Sequence, residues 1–141
     1  YMLSMFLGVE PKDEVEEISK KHSLNVFWVT PDTVIGPDEF LDVVENAELV
    51  VTDSYHVTIF SIIYCRPFIN FVRSGNGSTM NSRFETLYRI LNINNRTWAY
   101  LKCHPIEVIN MKFDKIYMAI ELERERCKEI LKRSLDSCKP R

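Results

Sequence analysis

The stretch "ELVVTDSYHVTIFSIIYCRPFINF", residues 48–71, decides the fold. It opens as a short apolar run of strand length, breaks at Asp53 and Ser54, resumes as an apolar segment of helical length, and ends in a second run, "RPFINF". A continuous apolar run suits a strand buried on both faces of a parallel sheet, and a helix between two such strands makes a crossover unit. Strands are therefore expected at 48–52 and 67–72, with a buried helix over 54–64.

Working outward, the same alternation recurs. Residues 2–7 are almost wholly apolar and end at Gly8, which reads as a first strand. "PKDEVEEISKKH", residues 11–22, places acids in its first turn and Lys20, Lys21 and His22 in its last, as the helix dipole prefers. "NVFWV", residues 25–29, reads as a second strand. "GPDEFLDVVENA", residues 36–47, puts Pro37 at a first helical position and gives an apolar face of Phe40, Val43 and Val44. The pattern predicts an α/β fold: a Rossmann-like three-layer α/β/α domain with a mainly parallel sheet. After it come a polar, glycine-containing loop from Arg73 to Asn81 and "SRFETLYRILN". There Ser82 and Glu85 have capping-box spacing, so a helix is expected to begin at Arg83. A long charged amphipathic helix over 113–136 closes the chain.

With 141 residues, one domain is expected over 1–141, an α/β core over 1–112 followed by the C-terminal helix region 113–141. The chain starts "YMLSMFLG", without an initiator Met before a strand, and is expected to be a piece of a longer protein. A formal net charge of -2 gives no reason to expect nucleic acid as a partner. No transmembrane segment is expected, because "VTIFSIIY" is shorter by roughly a factor of two than a bilayer span requires. No signal peptide is visible, since residues 1–22 lack a basic segment before an apolar one. The four cysteines form no C-x-x-C pair, which argues against a zinc site and fits reduced thiols in a cytosolic protein. Cys103 and His104 are adjacent, but neighbours in sequence rarely face each other as a catalytic pair.

In open parallel sheets ligands bind beyond the carboxyl ends of the strands. Residues 8–11, 30–36 and 52–56 occupy such places, and only the last combines hydroxyls, a carboxylate and an imidazole. If Asp53 or Ser54 caps the helix, its first N–H groups face an incoming anion and His56 stands in that first turn. Spacing leaves a second reading open: His56 shares a helical stripe with Ile59, Phe60 and Ile63, as a core histidine would. Asp53 and Ser54 would then be simple caps, and Thr58 a packing residue bonded to the preceding turn. Arg83, at the start of a helix, opposes the dipole unless an anion is near. Arg73 opens the loop, and the segment from Arg73 to Arg83 has the makings of a lid. For both arginines a solvated surface position is the alternative.

The order strand, "TDSYH", apolar helix, "RPFINF", glycine loop, "SRFETLYRILN" resembles the C-terminal part of the polysaccharide pyruvyl transferase family. That family's T-D-S-[FY]-H-G-T pattern falls on Thr52 to Thr58, its K-P-F strand on Arg66 to Phe68 and its S-R segment on Ser82 to Leu87. The resemblance implies one Rossmann-like half of a GT-B type enzyme whose N-terminal half is absent from this chain. The implied reaction moves the enolpyruvyl group of phosphoenolpyruvate to a sugar hydroxyl, as a pyruvyl ketal, in bacterial surface polysaccharide synthesis. The implied partners are phosphoenolpyruvate, a sugar or lipid-linked oligosaccharide acceptor, and the missing N-terminal domain. No metal or other cofactor is implied, and the implied location is cytoplasmic, extending to the inner membrane surface. By the same resemblance His56 matches the motif histidine, implicated in catalysis and donor binding, and Arg83 the arginine of the S-R segment. Taken with their places at the strand end and the loop, Asp53, Ser54, Thr58 and Arg73 are also expected to bind substrate. The family's glycine after the histidine is Val57 here, which predicts added bulk beside the anion site. Ser54 stands where some relatives carry arginine. The competing readings are a sugar-nucleotide glycosyltransferase half, and a non-catalytic module whose charged helix, "ELERERCKEILKR" at 121–133, pairs with a partner or an anionic membrane.

Overall fold

Each apolar run forms a parallel strand, because the crossover helix after it returns the chain to the same end of the sheet. A computed structural model describes residues 1–73 and 81–137. The strands are β1 (Met2–Met5), β2 (Val26–Val29), β3 (Leu49–Thr52) and β4 (Phe68–Asn70). They lie in the order β2-β1-β3-β4, all parallel. The helices are α1 (Lys12–His22), α2 (Pro37–Glu45), α3 (Tyr55–Ile63), α4 (Asn81–Ile90), α5 (Trp98–Leu101) and α6 (Phe113–Ser137).

The period of two along the strands splits the core into two layers. Leu3, Val50 and Phe68 pack with Val44 of α2, Val57 and Ile62 of α3, Phe84 and Leu87 of α4 and Ile116 of α6. Met2, Leu49, Val51 and Ile69 face the other way, toward Val15 and Ile18 of α1 and Leu101 of α5. The three-layer α/β/α expectation therefore holds.

Two helix starts follow from local chemistry. In α2, Pro37 occupies the first position and the Glu39 carboxylate accepts the Gly36 N–H at 2.7 Å. In α4, the helix is already formed at Asn81, so Ser82 lies inside it and Arg83 is its third residue, not its first. Asn81 accounts for the shift. Its amide accepts the Arg73 N–H at 3.3 Å and donates to the Arg73 carbonyl at 3.1 Å, pinning together the two ends of segment 74–80. The proposed lid itself lies outside the described residues.

Beyond β4, α5 and a short 3-10 turn at Pro105–Glu107 were not expected from the sequence. They are held by Arg96, which is buried and has no carboxylate partner among the described residues. It donates instead to the carbonyls of Phe68, Glu107 and Val108 at 2.9, 2.5 and 2.6 Å. Burial pushes its pKa down to about 10. The far half of α6 is exposed and carries ion pairs at helical spacing, such as Arg124–Glu121 and Lys128–Glu125, as a solvated face does.

Candidate functional site

The winding of the sheet reverses between β1 and β3, since β1 leads outward to β2 and β3 leads outward to β4. A crevice opens at such a reversal, beyond the carboxyl ends of the strands. Asp53, the first residue after β3, stands at this point and is 4% exposed. Its carboxylate accepts the N–H groups of Leu7 and Gly8 at 2.7 and 3.0 Å and the Arg73 guanidinium at 2.8 and 3.2 Å. Four donors on two oxygens satisfy a buried carboxylate well. None of them belongs to α3, so Asp53 is not the helix cap that the sequence suggested; it binds the ends of β1, β3 and β4 into one corner.

Gly8 is part of that corner for a steric reason: a Cβ there would lie 3.0 Å from the Asp53 Oδ2. A side chain there would press on the carboxylate and push it from its place by a few tenths of an ångström. Arg73 is 20% exposed, so it is not a freely solvated arginine. With Phe6, Gly8, Pro11, Glu14 and Asp53 it lines a cleft of about 520 Å³, beside the edge-to-face rings of Phe6 and Phe71.

The start of α3 is built differently. Ser54 is the N-cap in extended conformation (φ -91°, ψ 125°), but its side chain makes no capping bond. Its own N–H goes to the Thr52 hydroxyl at 3.0 Å, and that hydroxyl donates to the Met5 carbonyl at 2.6 Å. Among the described residues, the first-turn N–H groups of α3 thus have no side-chain acceptor, which is the electrostatic requirement of an anion site.

The buried face of α3 is Val57, Thr58, Ser61 and Ile62. His56 is exposed, and so is Ile63 at 52%. The stripe that would have made His56 a core residue is split: Ile59 and Phe60 are partly buried against the core, while His56 and Ile63 face solvent. His56 meets only the Tyr55 ring, edge to face at 6.3 Å, and has no hydrogen bond or ion pair among the described residues. Val57 is 1% exposed, so its bulk enters the core and does not crowd the site. Thr58 matches the packing reading: it is fully buried, and its hydroxyl donates to the Ser54 carbonyl one turn back at 3.0 Å and accepts from the Asn70 amide at 2.7 Å.

Arg83 is exposed in the first turn of α4 and likewise has no bonded partner among the described residues. The Tyr55 ring lies 5.9 Å from that of Phe84, which sets the beginnings of α3 and α4 side by side. The predicted residues thus fall into two groups. Asp53 and Arg73 meet directly. His56 and Arg83 stand on neighbouring helix starts, neither with a bonded partner among the described residues. Gly8, Asn70 and Tyr88 were not read as site residues; the polar Asn70 inside an apolar strand was the available signal.

Among the described residues no three His, Cys, Asp or Glu side chains converge as a cation site, and no helix is long and apolar enough to cross a membrane. A family model described as polysaccharide pyruvyl transferase matches residues 5–75, half of the chain, a span that runs from the end of β1 past Arg73 and includes the whole Asp53 corner and His56. No curated protein and no solved structure matches the chain.

Proposed function

The chain belongs to the polysaccharide pyruvyl transferase family, and from that premise we propose that it carries the donor side of a phosphoenolpyruvate-dependent pyruvyl transfer to a sugar. The observation that carries the reading is His56: an exposed imidazole, without a bonded partner among the described residues, in the first turn of a helix whose N–H groups have no side-chain cap among them. It stands inside the matched span.

Ketal formation needs a proton on the donor's methylene carbon, which places positive charge on the adjacent carbon. A sugar hydroxyl attacks there, phosphate leaves, and a second hydroxyl closes the ketal. His56 supplies the proton. The N–H groups at the start of α3, with Arg83, hold phosphate or carboxylate, each by charge-assisted bonds. Arg73 adds the N–H groups that Asp53 leaves unused, at the edge of the neighbouring cleft. The base that accepts the hydroxyl protons belongs to an opposing domain that forms the other wall of the cleft. The product would be a surface polysaccharide bearing pyruvyl ketals, made in the cytoplasm or at the inner membrane surface.

The test is phosphate release by the whole enzyme carrying His56→Ala. General acid catalysis contributes roughly 100- to 10,000-fold, so a loss in that range is expected. A loss below about tenfold would remove His56 from the acid role.

A further inference from the structure

Behind the start of α3 lies a chain of buried polar groups that the proposed reaction does not use. The Tyr88 hydroxyl donates to the Asn70 Oδ1. The Asn70 amide donates to the Thr58 Oγ1 at 2.7 Å and, at 3.4 Å, to the Thr52 carbonyl. The Thr58 hydroxyl donates in turn to the Ser54 carbonyl at 3.0 Å. Exposure is 9% at Tyr88, 1% at Asn70 and zero at Thr58.

Buried polar groups are costly unless each is bonded, and apolar side chains of similar shape would hold α4 and α3 against β4 equally well. A hydrogen-bond chain adds what apolar packing does not: fixed donors and acceptors admit one rotation of α3 about its axis. The chain ends at the N-cap carbonyl, two residues before His56. We infer that Tyr88 and Asn70 are positioning residues, which through Thr58 and the Ser54 carbonyl fix where the α3 N-terminus points His56. Burial raises the Tyr88 pKa, so the phenol stays neutral and remains the donor that the chain requires.

The catalytic half of this inference rests on the proposed role of His56; the positional half does not. Two variants cut the chain at different links, Tyr88→Phe and Thr58→Val, and either one suffices should the other fail to fold. Two readouts are needed. In the chain labelled at its three histidines, the His56 ring resonance should shift in each variant while those of His22 and His104 stay in place. In the whole enzyme, turnover at saturating phosphoenolpyruvate should fall at least about tenfold with little change in donor KM, since small misplacements of a reacting group are costly. An unmoved His56 resonance with unchanged turnover, accompanied only by a lower melting temperature, would reduce the network to packing and overturn the inference. If His56→Ala itself keeps full turnover while the His56 resonance still moves in Tyr88→Phe, the functional reading fails and the positioning stands.

Discussion

The two ends of the segment "DSYH" differ in how completely their side chains are committed. Asp53 is buried and bonded four times, to two N–H groups of the β1 end and to Arg73. His56, three residues on, is exposed and has no hydrogen bond or ion pair among the described residues. Arg73 is tied to Asp53 through two of its nitrogens and keeps further N–H groups, and Arg83, like His56, has no bonded partner among the described residues. A side chain whose bonds are all made holds the fold; one whose bonding capacity is unspent at a helix start is available to a ligand. Residues that the sequence grouped as one site thus divide into a bonded frame and, in the proposed reading, a working edge.

That division is breakable by mutation. The largest stability effect is expected for Asp53→Ala, which leaves the Leu7 and Gly8 N–H groups and the Arg73 guanidinium without their acceptor. Removing one partner of a buried pair costs about 3–5 kcal/mol, measurable by chemical denaturation. A loss under about 1 kcal/mol would mean the corner is not a frame. Next comes Val57→Gly, which restores the family's glycine. Lost burial of a core valine and a helical glycine together predict a loss of about 2–4 kcal/mol. Donor affinity should not improve, because Val57 faces the core; tighter donor binding in this variant would restore the crowding expected from sequence. The smallest stability effect is expected for Arg83→Ala, within about 0.5 kcal/mol. Its donor dissociation constant should nevertheless rise about tenfold or more, as for a lost hydrogen bond to a charged group. An unchanged constant, by titration calorimetry on the whole enzyme, would take Arg83 out of the working edge.

The layered fold was legible because the segments alternate between apolar runs and helical periods, and the parallel order follows from that alternation. The face of α3 was not. The reading from periodicity counted apolar residues and left open a buried stripe of His56, Ile59, Phe60 and Ile63. The structure buries Thr58 and Ser61, whose hydroxyls bond the Ser54 and Val57 carbonyls one turn back and so enter the core satisfied. That rotation moved His56 to the surface and Val57 inward. The Asp53–Arg73 pair was equally hidden, since the two are 20 residues apart and meet only when β3 and β4 lie side by side. The start of α4 was misplaced because the helix already includes Asn81, whose side chain ties it to the Arg73 backbone. The short α5 and the 3-10 turn depend on Arg96 reaching three backbone carbonyls, a non-local arrangement without a periodic signature.

The central claim is that His56 acts on the reaction and not on the fold. It is tested most directly by single-turnover phosphate release from the whole enzyme carrying His56→Ala, at saturating phosphoenolpyruvate and with the melting temperature measured alongside. The account predicts a rate at least about 100-fold lower at an unchanged melting temperature. A rate within about tenfold of the wild type once the donor is saturating would contradict it, and would leave His56 as a residue that binds phosphate without moving the proton.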